Sequence, residues 1–386
     1  MVTGAASASA QDAMAPVEVR NTWAPQVVTG SDGVVHLAYE LHLLNFYGDT
    51  GVLQLRHVGV FDGTSKRSLA TFEGPALEAM MSPHAPEGAK VGAALSIKSG
   101  AQATVFIWLD LPKGTTPPAT LRHRLEFETA KGTTTSVDGA RVYVDTSSPV
   151  VLGAPLRGGF WVATEGPGNS RSHHWGSTVV VNGQLTVPQR YAVDLIGVDA
   201  GGHAVRAGAG DLRQSKHADW IGFGADVLAV ADGMGRSTHD GAVDHPPLSP
   251  QDEPASLTAD GLYGNYVVLE ISPHVFAHYA HLQHGSVVVK AGQHVHRGDV
   301  LGHVGQSGNS GGPHLHFQVS NAPTFEGSEG IPFVFDHFTR PGIWSVNQAI
   351  DSKAVFHATS KIGMHRKEMP LDNDVIGFST DPRPSK

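Results

Sequence analysis

Between about residues 17 and 145 the chain alternates hydrophobic and polar positions with a period of two, and Gly, Pro, Asn or Asp closes each run. Val35, Leu37, Tyr39, Leu41 and Leu43 fall on one face of the first long strand this pattern predicts. Val105, Ile107, Leu109 and Leu111 repeat it, as do Leu121, Leu125 and Phe127 with His123 between them, and a short strand over 141–145 closes the series. Strands of this kind predict an immunoglobulin-like β-sandwich over residues 16–150. No catalytic constellation falls inside it.

Thr146-Ser147-Ser148-Pro149, followed by Gly153 and Pro155, has the composition of a linker, so a domain boundary is expected near residue 150 and a second domain over 151–386. Short strands continue there. STVVV and QLTV are joined by Asn182-Gly183, the strongest local hairpin signal because both turn positions favour positive φ. Two loop-rich insertions are expected at 200–219 and 234–264, the second rich in Asp, Pro and His, as walls or lids. The fold class is therefore all-β, with an antiparallel sheet in the second domain.

Composition narrows the chemistry. The 386 residues include 46 Gly and 24 Pro, which suit many tight turns, and exceed one ordinary core. A net charge of −9 argues against nucleic acid and anionic membranes as partners. No apolar run is long enough to span a bilayer, so a soluble chain is expected. The first residues, MVTGAASASAQDA, read as a signal remnant with an Ala8-Ser9-Ala10 cleavage pattern, or as a disordered terminus over 1–15. With no cysteine, a transition metal has only His and carboxylate ligands available.

The segment GNSGGPHLHFQV, 308–319, carries His314 and His316 two apart in an extended run, so both imidazoles leave one face while Leu315 and Phe317 leave the other. A metal ligand beside a catalytic base is a sensible use of that geometry. The chain has 23 histidines, and His294 and His296 form a second pair of this spacing. Polar neighbours mark that pair as a solvent-facing hairpin edge.

A carboxylate inside an apolar strand is the next signal. Asp194 in QRYAVDLIGV must be paired or coordinate a cation to offset its burial; Arg190 is the bland alternative partner. One hairpin upstream, His173 and His174 can reach Asp194, and in an extended segment only one of the two faces it. His217 and Asp219 form a rival chelating pair in a polar loop. His281 in HYAHLQHGS is placed in a strand ahead of the Gly285 turn.

Taken in order, GADVLAVADG, YGNYVVLE, YAHL, SVVVKAGQHVHRGDVLGHVGQSGNSGGPHLHF and EGIPFVF resemble the core of the lysostaphin and LytM type of zinc endopeptidases, over roughly residues 170–335. The resemblance implies that Zn2+ is ligated by His316, that His314 is a base, and that His281 is a second catalytic imidazole. It also implies peptidoglycan stem or cross-bridge peptides as substrate, and a secreted or periplasmic site of action in the bacterial envelope. The family's first two ligands usually lie close together, whereas here a longer insert separates SHH from RYAVD, as in a divergent branch. His174, nearer the hairpin than His173, is taken with Asp194 to complete the metal site. The segments GVVHLAYELHLLN and LRHRLEF are similar to the β-rich region that precedes the peptidase in that branch.

Such a site implies hydrolysis by activated water, with His314 as general base and His281 stabilising the transition state. A catalytically silent wall-binding or regulatory protein on the same fold is the alternative, and a peptidase acting on other peptides, as in a toxin, is a third.

Overall fold

The computed structural model of the chain describes residues 14–63, 65–249, 258–360 and 362–381. The expectation for the first fifteen residues thus falls almost wholly outside the described residues. The fold is nearly all β, in two compact units. One comprises the chain up to Pro25 and Ala38–Thr146; the other comprises Gln26–Leu37 and Ser147–Lys386.

The first unit holds two sheets. One has the order Val17–Arg20, Val35–Asn45, Gln102–Leu111, Met81–Ser82, and the other Thr134–Tyr143, Thr120–Thr129, Leu53–Asp62, Ser68–Glu73. The alternating residues that predict these strands are buried, with Tyr39, Leu121, Leu125 and Phe127 all at 0% exposure. Tyr39 and His123 join the sheets: the Tyr39 hydroxyl lies 2.8 Å from His123 Nε2, and His123 Nδ1 lies 2.8 Å from the Ala140 carbonyl. The strand expected over 141–145 in fact runs from Thr134 to Tyr143. Its first half, Thr-Thr-Ser-Val-Asp, is too polar to show alternation, and a bulge at Gly139 breaks its register.

The second unit is built on a ten-stranded sheet. In chain order its strands are β1 (Phe160–Thr164), β2 (Val193–Val198), β3 (Gly233–His239), β4 (Tyr266–Ser272), β5 (Val275–Ala280), β6 (His294–Val295), β7 (Leu315–Ser320), β8 (Phe338–Ile343), β9 (Gly363–His365) and β10 (Asp374–Gly377). They lie side by side in the order β6-β3-β4-β5-β7-β2-β1-β10-β8-β9. Strand β7 is thus central, between β5 and β2.

Leu315, Phe317 and Val319 of β7 enter the main core with Val193, Leu195 and Tyr279. Phe317 meets Tyr279 and Phe333 edge-on, with centroids 5.3 and 5.1 Å apart. Each such fully buried side chain contributes about 1.5–3 kcal/mol. This burial fixes the pleat of β7, so the alternate residues His314, His316, Gln318 and Ser320 must take the opposite face.

The Asn182-Gly183 hairpin forms as expected, pairing Val179–Val181 with Gln184–Thr186, and both turn residues have positive φ, 51° and 77°. The insertion expected over 234–264 is shorter than its sequence suggests. Residues 233–239 form β3, whose Gly-Met-Gly-Arg-Ser-Thr-His composition hides the strand, while 250–257 lie outside the described residues.

Candidate metal and catalytic site

Strand register assembles the centre of the site. Asp194 on β2 stands opposite His316 on β7, and His316 stands opposite Ala280, the last residue of β5. His281 therefore begins where the strand ends, a correction to its expected place within it. Its φ of 61° turns the chain, while its N–H donates to the Tyr263 carbonyl at 2.9 Å. A non-glycine residue in the left-handed region is uncommon and concentrates at functional sites.

His173 and His174 lie in a helical turn, His173–Gly176, rather than in the extended segment expected. Ser172 caps the turn by accepting from the His174 N–H at 3.1 Å. The turn buries His174 and leaves the His173 side chain 67% exposed, with its Nδ1 3.2 Å from Glu165 Oε2.

Three imidazoles converge on one oxygen. Asp194 Oδ1 lies 3.0 Å from His316 Nδ1, 3.3 Å from His314 Nε2 and 3.5 Å from His174 Nε2. His281 closes the group, its ring centroid 4.7 Å from that of His314 and 5.8 Å from that of His316. The cluster opens on a cavity of about 460 Å³ lined by His174, Gln189, Tyr263, His281, Asn309 and His316, among others.

Backbone carbonyls set the proton positions. His174 Nδ1 lies 2.9 Å from the Glu165 carbonyl, His281 Nδ1 2.8 Å from that of Ser307, and His314 Nδ1 2.8 Å from that of Gly312. A carbonyl only accepts, so each Nδ1 carries hydrogen and each neutral ring keeps a bare Nε2. His314 Nε2 is buried and makes no hydrogen bond; its approach to Asp194 is out of line for one.

The electrostatics follow from burial and crowding. Burial pushes His174 down to about 3 despite the Asp194 charge. His281 is driven well below the imidazole range, by burial first and then by His314 and His316. Burial by itself raises Asp194, but the neighbouring imidazoles of His314 and His174 outweigh it and hold the carboxyl well below its usual range. For His314 burial again pushes down, yet Asp194 prevails and raises it, which suits a group that takes up a proton.

Bare imidazole nitrogens facing an ionised carboxylate are acceptors without a donor, and a divalent cation satisfies them together. His174 Nε2, Asp194 Oδ1 and His316 Nδ1 fit a nitrogen and oxygen metal site. Compactness alone groups His173 with His174 and Asp194, whose donor atoms all lie within 4.8 Å of one another. His316 is the better third donor, because it is buried and 3.0 Å from Asp194, whereas His173 is exposed and engaged by Glu165. Arg190, the bland partner for Asp194, is paired with Glu329 at 2.8 Å.

Residues 222–327 match Peptidase family M23. This part of the chain is an M23 domain. His281, His314 and His316 lie inside the matched stretch, and His174 and Asp194 lie upstream of it. The chain is similar to DD-carboxypeptidase/endopeptidase Mpg of Neisseria meningitidis serogroup B, at 35% identity over 95 residues, which are 22% of this chain and 21% of that protein. Mpg of Neisseria gonorrhoeae matches to the same extent, so the chain spans 21% of the length of these curated relatives. Similar solved structures include the catalytic domain of the prophage-encoded M23 protein EnpA from Enterococcus faecalis, with 21% identity over 26% of this chain and 62% of that one and a TM-score of 0.20. A zinc containing peptidase from Vibrio cholerae matches with 14% identity over 76% of this chain and 81% of that one, at a TM-score of 0.21.

The remaining sequence candidates fall outside the site. His217 Nε2 donates to the His245 carbonyl at 2.7 Å and its ring stacks on Phe223, while Asp219 accepts from the Lys216 N–H. His294 and His296 are exposed on edge strand β6 and just after it. Missing from the sequence reading are Gln189, which lines the cavity, and Gln318, which contacts His316 Nε2 at 2.9 Å. The signal for Gln318 was its position two after His316 on the same strand face.

One backbone contact holds the cavity wall. Gly264 and Gly308, with φ of 66° and 71°, lie back to back: a Cβ on Gly264 meets Gly308 N at 2.3 Å, and one on Gly308 meets Gly264 N at 2.4 Å. Their chain neighbours Tyr263 and Asn309 line the cavity.

Proposed function

We propose that the chain is a zinc metalloendopeptidase that hydrolyses peptide bonds in the stem or cross-bridge peptides of bacterial peptidoglycan, secreted or in the periplasm. The observation that carries this reading is the convergence of His174 Nε2, His314 Nε2 and His316 Nδ1 on Asp194 Oδ1, beside a cavity that His174 and His316 line. The M23 match and the resemblance to Mpg support the reaction class and the substrate.

His174, Asp194 and His316 hold the metal in this reading. Zinc supplies a Lewis acid that makes a water acidic near neutral pH and polarises a carbonyl. His314 is the general base: its bare Nε2 takes the proton of the attacking water, and Asp194 steadies the resulting imidazolium. His281 acts through its own bare Nε2, which accepts a hydrogen bond and orients that water. Donation from His281 to an oxyanion needs a second proton on the ring, which burial opposes. Its contribution to the transition state is therefore alignment of the nucleophile.

The test is to incubate the purified full chain with peptidoglycan and with unrelated peptides, with and without a chelator, and to follow new amino termini. Release from peptidoglycan that stops with chelator and returns with zinc is expected. Release indifferent to chelator overturns the metal, equal cleavage of unrelated peptides overturns the substrate, and no cleavage overturns the activity.

A further inference from the structure

Beside the catalytic cavity lies a second one of about 310 Å³, lined by Arg236, Ser237, Tyr266, Thr324 and Glu326, among others. The two share a wall. Phe325 and Tyr263 line the first cavity. Glu326, next to Phe325 in the chain, lines the second, as does Tyr266, whose ring meets that of Tyr263 edge-on with centroids 5.7 Å apart.

Two polar groups in this wall are unmatched among the described residues. Glu326 Oε2 is buried and accepts no hydrogen bond, and the hydroxyl of Tyr263, a residue 1% exposed, makes none. Arg236 brings a cation to the second cavity but does not relieve Glu326, because its guanidinium pairs with Glu270. Nor does Thr324, whose hydroxyl donates to the Glu326 backbone carbonyl at 2.9 Å. A buried carboxylate oxygen without a donor is costly, and a ligand that brings a positive N–H group removes the cost. The Tyr263 hydroxyl has a hydrogen to give, which suits a carbonyl.

We propose that the second cavity is a substrate subsite for a peptide residue carrying a free amino group. Its ammonium donates to Glu326, and a carbonyl of the same peptide accepts from the Tyr263 hydroxyl. An anionic group fits worse, since Arg236 is engaged and Glu326 repels it. The shared wall lets one peptide occupy both cavities, so Glu326 selects among substrates without touching the reacting bond.

This subsite rests on the peptidase reading above, and the experiment keeps the two apart. The full chain is given native peptidoglycan and peptidoglycan whose free amino groups have been acetylated. Cleavage, as new amino termini, and co-sedimentation are both followed. The wild type should cleave and bind the native polymer about tenfold better, the scale of one charge-assisted hydrogen bond. Glu326→Gln should lose that preference, its rate on the native polymer falling to the rate on the acetylated one. Tyr263→Phe, which removes an unpaired hydroxyl, should lower cleavage of both polymers alike and keep the preference.

No preference in the wild type overturns the subsite, as does a preference that survives in Glu326→Gln. An equal loss on both polymers in Glu326→Gln also overturns it, since the carboxylate would then serve the fold. Unchanged rates in Tyr263→Phe overturn the part given to the hydroxyl. Binding that favours the native polymer and is lost in Glu326→Gln, without cleavage by any of the three proteins, overturns the peptidase reading and leaves the subsite standing.

Discussion

The molecule buries imidazoles in two very different ways. In the first unit, His123 has a partner for each nitrogen: Nδ1–H donates to the Ala140 carbonyl and Nε2 accepts from the Tyr39 hydroxyl. In the second unit, His174, His281 and His314 each satisfy Nδ1 on a backbone carbonyl and turn a bare Nε2 toward an acidic, histidine-rich centre. Both arrangements are buried and both depress the basicity of a ring, His123 and His174 falling to about 4 and about 3. Burial and pKa therefore do not separate structure from chemistry here. The unused lone pair separates these four rings: His123 has both nitrogens paired, whereas each of the three site rings keeps one for a ligand or a proton.

The strongest way to break that comparison is to remove a bare nitrogen. His316→Ala should abolish zinc retention, read as metal per chain after dialysis, while His123→Ala should leave metal content as it is. Retained zinc in His316→Ala defeats the ligand assignment. Next in size, His314→Ala should keep its metal but lose about 10²–10⁴-fold in peptide hydrolysis, the range for a general base. Loss of metal along with rate would make His314 a ligand instead.

The His123 side of the comparison is sharpened with acid. Its pKa is about 4 folded against 6.5 unfolded, so the folded state binds fewer protons between these values. The stabilisation is whole above pH 6.5 and is lost as pH falls toward 4, amounting to about 3 kcal/mol. Amide exchange in Thr120–Thr129 should accelerate over that window, and His123→Gln should flatten the dependence. The smallest effect is expected at the second histidine pair. His294→Ala and His296→Ala, both at exposed positions, should shift stability within about ±0.5 kcal/mol and leave metal content unchanged.

The sequence made much of this legible, and the limits have physical reasons. Alternation exposed the central strands because core packing at Leu315, Phe317 and Val319 enforces a period of two, and the same period aligned His314 with His316. Strand β3 escaped because a glycine-rich, polar strand carries no such alternation. The helical turn at His173 did carry a local sign, the Ser172 cap, whereas the place of His281 did not. Its strand ends one residue earlier because the chain is drawn into a left-handed turn by Tyr263, eighteen positions upstream. The pairing of Arg190 with Glu329 and the hold of Pro188 on Gln318 are likewise long-range, and no window of sequence contains both ends. Legible, too, was that Asp194 needs polar partners, which three imidazoles provide, since an apolar strand leaves an ionised carboxylate few other neighbours.

The paired glycines at 264 and 308 have a consequence for anyone reshaping the cleft. Their backbones touch with no clearance for even one added carbon, and across that contact the Asn309 N–H donates to the Leu262 carbonyl at 3.0 Å and the Asn265 N–H to Ser307 Oγ at 2.9 Å, which ties the loop ahead of the histidine pair to the start of β4. The mouth cannot be widened by stretching that joint. Room for a bulkier peptide has to come from elsewhere in the lining, where trimming Phe325 or Val179, both buried in one apolar cluster, widens the cavity at the cost of about 1–5 kcal/mol of packing.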